Sequence, residues 1–198
     1  YCLNLGGIAN ISFDKNNERL AFDICACNIV LNQLVSDERG IAYDNDGEIA
    51  RTGKLNKELL SALNEISYYS QPFPKSLGRE DIERDVFPLL EKFKISLEDK
   101  LHTFCKHIAI QISSVLEKDV TDARMLITGG GTLNQFLLEC IEDKCNLKIV
   151  VPQKEIIDFK EAIIFAFLGV LRMRNEVNCL KSVTGANEDS SGGDVFLK

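Results

Sequence analysis

The stretch YCLNLGGIANISFDKNNERLAFD, residues 1–23, consists of short apolar segments separated by turn formers. Leu3 to Leu5 is halted by Gly6-Gly7, and Ile8 to Phe13 alternates through Ile11 and Phe13. Asp14-Lys15-Asn16-Asn17 is a polar turn, and Leu20 to Phe22 ends at Asp23. Period-two patterning broken by Gly and Asn predicts three short strands joined as a meander. From Ala26 the period changes: Val30, Leu31, Leu34 and Val35 fall on one face of a helix.

The C-terminal half alternates differently. Ser96-Leu97-Glu98-Asp99 announces a helix whose apolar stripe is Leu101, Phe104, Cys105, Ile108, Ile112, Val115 and Leu116. A β-prone run from Met125 to Thr128 stops at Gly129-Gly130-Gly131. A helix from Leu133 to Lys144 and a strand from Lys148 to Val151 follow. The last helix is expected to start at Asp158, capped with the help of Glu161, and to run to Met173. It is apolar nearly all round, which predicts cover on both sides. Between the halves lie a turn-rich loop from Gly40 to Gly47, a helix near Lys57 to Glu65, and the irregular segment YSQPFPKSLGR from Tyr69 to Arg79. Strands alternating with helices imply parallel pairing, so the expected fold is α/β. It is a mixed sheet of a three-strand meander plus parallel strands, flanked by helices and carrying a helical insertion. One composition regime runs through residues 1–198, read as one domain, with residues 187–193 (NEDSSGG) as a mobile tail segment.

Composition narrows the function. The chain has 198 residues, 45% of them apolar, and a formal net charge of -7. No broad basic field exists to displace counterions from nucleic-acid phosphates, while binding of a single nucleotide needs only local backbone donors. The longest apolar run, Ala162 to Leu171, is too short for a bilayer, which takes about 20 residues. No basic-then-apolar leader occurs near Tyr1. The seven cysteines lack a CxxC pair and read as reduced thiols in a cytoplasmic protein, with no metal site expected. His102 and His107 are five apart and read as surface or satisfied core residues.

Several residues can carry chemistry. Gly6-Gly7 is either a tight turn needing positive φ, the commoner use, or a place where backbone N–H groups approach a phosphate. Gly129-Gly130-Gly131 sits between a strand and a helix, where open α/β sheets bind ligands beside a helix N-terminus. It is not a Walker loop, since no Gly-Lys-Ser/Thr follows, and not GxGxxG, because Asn134 occupies the last glycine slot. Asp23 reads as a helix cap or as a general base at the open edge of a sheet. Glu161 has the same ambiguity, and Lys75 and Arg79 are candidate anion contacts among many exposed cations.

Together, LNLGGIAN (Leu3 to Asn10), Tyr43-Asp44 with Gly47, PKSLGRE (Pro74 to Glu80), Gly129-Gly130-Gly131 with Asn134, Glu161-Ala162 and Val183-Thr184-Gly185-Ala186 resemble the anhydro-N-acetylmuramic acid kinases. That family belongs to the sugar kinase, heat-shock protein and actin superfamily, whose members have two ribonuclease-H-like domains with ATP between them. The resemblance implies that residues 1–198 are the C-terminal ribonuclease-H-like domain. The N-terminal domain, with its first phosphate loop, is absent, and the isolated fragment is expected to be inactive.

It further implies phosphorylation of O6 of the 1,6-anhydro sugar by ATP with Mg2+, water opening the ring at C1, as a step of peptidoglycan recycling. The resemblance assigns Asp23 as catalytic, Gly6, Gly7, Gly129, Gly130, Gly131 and Asn134 to the nucleotide, and Asn10 and Glu161 to the sugar. Implied partners are the sugar, ATP, the missing N-terminal domain and a second copy in a homodimer. One departure stands beside Asp23. The family usually reads Thr-Gly-Pro-Gly-Asn where this chain has Ile24-Cys25-Ala26-Cys27-Asn28. That loop is the feature favouring a second reading, a non-catalytic sugar- or nucleotide-binding module of the same fold.

Overall fold

Five strands form one sheet in the order β3-β2-β1-β4-β5, where β1 is Cys2–Leu5, β2 Ile8–Lys15, β3 Glu18–Ala26, β4 Arg124–Thr128 and β5 Lys148–Val150. The computed structural model describes residues 1–117 and 123–196. The β1, β2 and β3 pairs are antiparallel, while β1 with β4 and β4 with β5 are parallel. This is the mixed α/β sheet expected from the period-two opening and the alternating C-terminal half. The middle strands show why the alternation was readable. Leu3, Leu5, Ala9, Ile11, Met125 and Ile127 are buried on one face, while Asn4, Asn10 and Ser12 lie on the other.

The helices are α1 (Asn28–Arg39), α2 (Glu48–Thr52), α3 (Lys57–Asn64), α4 (Arg79–Asp85), α5 (Phe87–Lys92), α6 (Leu97–Ser114), α7 (Gln135–Lys144), α8 (Lys154–Met173) and α9 (Lys181–Thr184). The central helix α6 packs against α1, α2, α3, α7 and β3. Its stripe is buried at Leu101, Phe104, Cys105, Ile108 and Ile112, and Ser96 caps it by accepting from the Asp99 N–H at 3.2 Å. Asn134 caps α7 in the same way, its Oδ1 accepting from the Leu137 N–H at 2.9 Å.

Three local expectations are corrected, and one unassigned stretch is filled. Strand β3 continues past Asp23 to Ala26, because Ile24, Cys25 and Ala26 are apolar enough to be buried without alternation. Two short helices, α4 and α5, fill the region after the irregular segment; Pro88 starts the second. Helix α8 starts at Lys154, four residues before Asp158, and Asp158 pairs with Lys154 one turn back at 2.6 Å. An acidic residue three positions after Asp158 is a capping box at a helix start but ordinary helical spacing inside one.

The third correction concerns the environment of α8. No residue of it is buried, and Phe159, Ile163, Ile164, Phe165, Phe167, Val170 and Met173 are all exposed. The composition calls for cover that the described residues do not supply. Beyond α8, Cys179 and Ser190 form a backbone bridge, and the Asn178 side chain bonds to both the N–H and C=O of Gly192. Helix α9 lies on β3, where Ser182 Oγ donates to the Arg19 carbonyl at 2.6 Å. No helix among the described residues is long and apolar enough to cross a membrane.

Candidate active site

The polar face of the sheet carries a row of four side chains in register. Asn10 of β2 pairs with Asp23 of β3, Asn4 of β1 with Asn10, and Asn4 also with Thr128 of β4. Residues directly opposite in adjacent strands point to the same face, with strands about 4.8 Å apart. Asp23, Asn10, Asn4 and Thr128 therefore cross the sheet in one line about 14 Å long. A bulge between Ala9 and Asn10 sets this register: it lets Ile24 and Cys25 both turn inward while Asp23 faces outward beside Asn10.

Asp23 is held by a segment far away in sequence. Its Oδ2 accepts from the Leu77 N–H at 2.9 Å and from Ser76 Oγ at 3.0 Å. Its N–H donates to the Lys75 carbonyl at 3.2 Å, and its carbonyl accepts from the Tyr68 hydroxyl at 2.7 Å. Among the described residues its Oδ1 accepts no hydrogen bond. The carboxylate is thus fixed through one oxygen, with the other available to a ligand or a water. It caps no helix: Cys27 precedes α1 without a side-chain cap bond. The N–H groups at the start of α1 are taken by the turn instead, with Cys27 and Ile29 donating to the Gly7 carbonyl and Asn28 to that of Gly6.

The two glycine turns lie on either side of Asn4. Neither Gly6 nor Gly7 has positive φ, so this turn does not need glycine for its backbone angles. A Cβ on Gly6 would come 3.1 Å from Asn4 Nδ2. Gly129 has φ +90, and a Cβ there would come 2.8 Å from Asn4 Oδ1 and 2.7 Å from the Leu5 carbonyl. Gly131 is crowded as well, 2.6 Å from Leu5 Cβ, whereas a Cβ on Gly130 would meet only Asn28 Nδ2, at an ordinary 3.8 Å. Gly129 and Gly131 are glycines because the end of β1 presses on them. Gly130 is where the chain meets the groove.

Three adjoining cavities meet at Gly130. One, of about 190 Å³, includes Asn28, Asn32, Tyr43, Asp44, Leu133 and Asn134 in its lining. The second, about 600 Å³ and more open, runs over Gly6, Gly7, Asn28 and Ala42. The third, about 470 Å³, lies between the glycine turns and α8, with Asn4, Gly6, Gly129, Lys160 and Glu161 in its wall. The groove so formed is continuous along both turns.

The 198-residue chain matches, over residues 1–198, the family model described as anhydro-N-acetylmuramic acid kinase. The chain belongs to the anhydro-N-acetylmuramic acid kinase family. It is 32% identical to the anhydro-N-acetylmuramic acid kinase of Saccharophagus degradans, over 98% of this chain and 54% of that protein. With the Sulfurovum kinase the figures are 34%, 98% and 54%. With that of Haemophilus influenzae they are 32%, 99% and 56%. The chain spans about half the length of these curated relatives. Among solved structures it is similar to the activator of the 2-hydroxyisocaproyl-CoA dehydratase from Clostridium difficile with bound ADPNP. There the TM-score is 0.52 and the identity 18%, over 89% of this chain and 63% of that one. The Acidaminococcus fermentans (R)-2-hydroxyglutaryl-CoA dehydratase component A gives 0.51 at 12% identity, over 82% and 57%. These two likenesses concern the fold.

The residues tied to the anhydro-N-acetylmuramic acid kinase motifs fall in three places. Asp23 and Asn10 are on the polar row, the glycines line or support the groove, and Glu161 lies in the wall of the α8 cavity, outside the row. Asn134 lines the smallest cavity while its Oδ1 caps α7. Asp44 likewise caps α2, accepting from the Ile49 and Ala50 N–H groups at 2.9 Å each. Lys75 does not face an anion: its ammonium donates to the Tyr68 and Tyr69 carbonyls and lies 4.5 Å from the Tyr68 ring centre. Arg79 pairs with Glu83 at 2.7 Å.

Ser76 and Leu77, which hold Asp23, went unread as site residues because nothing local in PKSLGR points to residue 23. The Ile24-Cys25-Ala26-Cys27 departure is wholly buried, and burial pushes the Cys27 thiol up to about 12. These thiols are core, as small apolar side chains.

Proposed function

We propose that the chain is the C-terminal half of an ATP-dependent anhydro-N-acetylmuramic acid kinase, acting in the cytoplasm in cell-wall amino-sugar recycling. What carries the reading is the pairing of Asp23, fixed through Oδ2 alone, with a glycine-lined groove on the same sheet in a member of this family. In the reaction, water attacks C1 of the 1,6-anhydro sugar and the C1–O6 bond breaks. O6 takes the terminal phosphoryl group of ATP, and ADP leaves. Asp23 Oδ1 accepts the proton of the attacking water, a contribution typically worth about 10²–10⁴-fold. Asn10, its neighbour in register, offers an amide to a sugar hydroxyl, and Glu161 a carboxylate.

The backbone at Gly6-Gly7 and Gly130 holds the phosphates, whose charge must be spread for phosphoryl transfer. Mg2+ fits these residues only as a metal that arrives with the nucleotide. No group of three or more His, Cys, Asp or Glu side chains gathers among the described residues, and such Mg2+ needs one or two carboxylates plus phosphate oxygens. Bound there, it would neutralise charge on the phosphates. The acidic net charge is compatible with this, since backbone donors rather than a basic surface make the site.

The other half of the cleft belongs to an N-terminal domain, and the exposed apolar surface of α8 is the face it would cover. The test is phosphorylation of 1,6-anhydro-N-acetylmuramic acid by ATP, followed by 31P NMR, with the two halves in one polypeptide and with residues 1–198 alone. The sugar 6-phosphate should form with the two-domain protein and not with the isolated chain. Tight sugar or nucleotide binding by the two-domain protein without product would favour the binding-module reading suggested by the Cys25-Ala26-Cys27 loop.

A further inference from the structure

The wall of the α8 cavity carries a cation outside the family motifs, Lys160. Lys160 reaches from α8 to the polar row and donates from Nζ to Asn4 Oδ1 and, at 3.2 Å, to Thr128 Oγ1. Asn4 and Thr128 are register partners on the two central strands, so the ammonium sits over the middle of the sheet. The Asn4 amide is also the group wedged between the glycine turns, with Nδ2 toward Gly6 and Oδ1 toward Gly129. Lys160 is thereby placed where the two turns converge.

Its pairing sets it apart from its neighbour. Lys154, in the same wall, is paired with Asp158 at 2.6 Å. Lys160 makes no ion pair among the described residues. An ammonium has three N–H donors, and two neutral oxygens account for two of them, leaving one for an oxygen arriving from the cavity. The row also fixes its distance from Asp23. Asn4 and Asp23 are two strand spacings apart, about 10 Å, a span that fits a sugar ring carrying a phosphoryl group. Lys is a point-charge phosphate binder, suited to a group that must accept a shifting oxygen position.

We propose that Lys160 is a phosphate-binding residue of the cleft, holding the polyphosphate of the bound nucleotide at the junction of the two glycine turns. This rests on the kinase reading above, in which the groove takes a nucleotide. Asn4 and Thr128 are its positioning residues: they hold the ammonium over the sheet without neutralising it.

The experiment is titration of the two-domain protein with ATP and, separately, with adenosine, at low salt and by isothermal calorimetry, for wild type, Lys160→Met and Lys160→Arg. Lys160→Met should weaken ATP at least tenfold and leave adenosine unchanged. Lys160→Arg should keep ATP affinity within about threefold, because the charge remains. Unchanged ATP affinity in Lys160→Met overturns the assignment and leaves the nucleotide reading standing. Equal weakening of ATP and adenosine also overturns it, since that marks a packing role. A wild-type two-domain protein that binds neither ligand overturns the nucleotide reading and the assignment with it.

Discussion

The Leu77 N–H donates to Asp23 Oδ2 at 2.9 Å across 54 residues of sequence, and Ser76 Oγ completes the clasp at 3.0 Å. This clasp turns a mid-strand aspartate into an oriented one. Ser76→Ala removes one charge-assisted donor and leaves the backbone donor in place. In the two-domain protein kcat should fall about tenfold with KM for ATP unchanged. Steady-state kinetics with ATP varied check it, and a rise in KM alone would mean that Ser76 acts on nucleotide binding.

The triple glycine divides into structural and functional positions. Gly131→Ala puts a Cβ 2.6 Å from Leu5 Cβ and should cost about 1–3 kcal/mol in urea unfolding. At Gly130 the nearest atom to an added Cβ is Asn28 Nδ2 at 3.8 Å. Gly130→Ala should therefore leave stability within about 1 kcal/mol and lower ATP affinity, because only there does the added methyl enter the groove.

His107 gives the fold a pH dependence remote from the site. Its Nδ1 lies 2.7 Å from Asn64 Oδ1, which accepts only, so Nδ1 carries the proton and Nε2 accepts from the Tyr69 hydroxyl at 3.0 Å. Burial lowers its pKa from 6.5 to about 3. Between those values the unfolded chain binds a proton that the folded chain refuses, so stability present above 6.5 is lost as pH falls toward 3. The slope is about 1.4 kcal/mol per pH unit, or about 2 kcal/mol by pH 5. Urea unfolding at pH 7 and pH 5 should show that loss in wild type and a smaller one in His107→Gln. Equal losses would contradict it.

The bare face of α8 predicts self-association of the isolated chain. The double change Phe165→Ser and Phe167→Ser affects two exposed side chains. It should leave the thermal midpoint nearly unchanged and shift sedimentation toward monomer. In the two-domain protein the same change should destabilise if the N-terminal domain covers this face as proposed.

The readable parts of the sequence were those with local cause. Ile11 and Phe13 alternate, so β2 could be read; Ser96 and Asp99 cap α6, so its start could be fixed to the residue. The length of β3 was hidden because buried Ile24, Cys25 and Ala26 break the alternation that marks a half-buried strand. Asp23 and the glycines could be named from motifs, but their arrangement could not. The polar row depends on the register of four strands and on one bulge. The Ser76 clasp and the reach of Lys160 to Asn4 span 53 and 156 residues, and no local pattern encodes either. The exposure of α8 was missed for a related reason: an all-apolar helix states a need for cover without saying which chain segment provides it.

The central claim is that Asp23 takes the proton of the ring-opening water while the groove holds ATP. The most direct measurement is Asp23→Asn in the two-domain protein, with turnover of the 1,6-anhydro sugar and ATP affinity followed on the same preparation. The account predicts a fall in kcat of about 10²–10⁴-fold with ATP affinity unchanged. Retention of wild-type turnover by Asp23→Asn would contradict it.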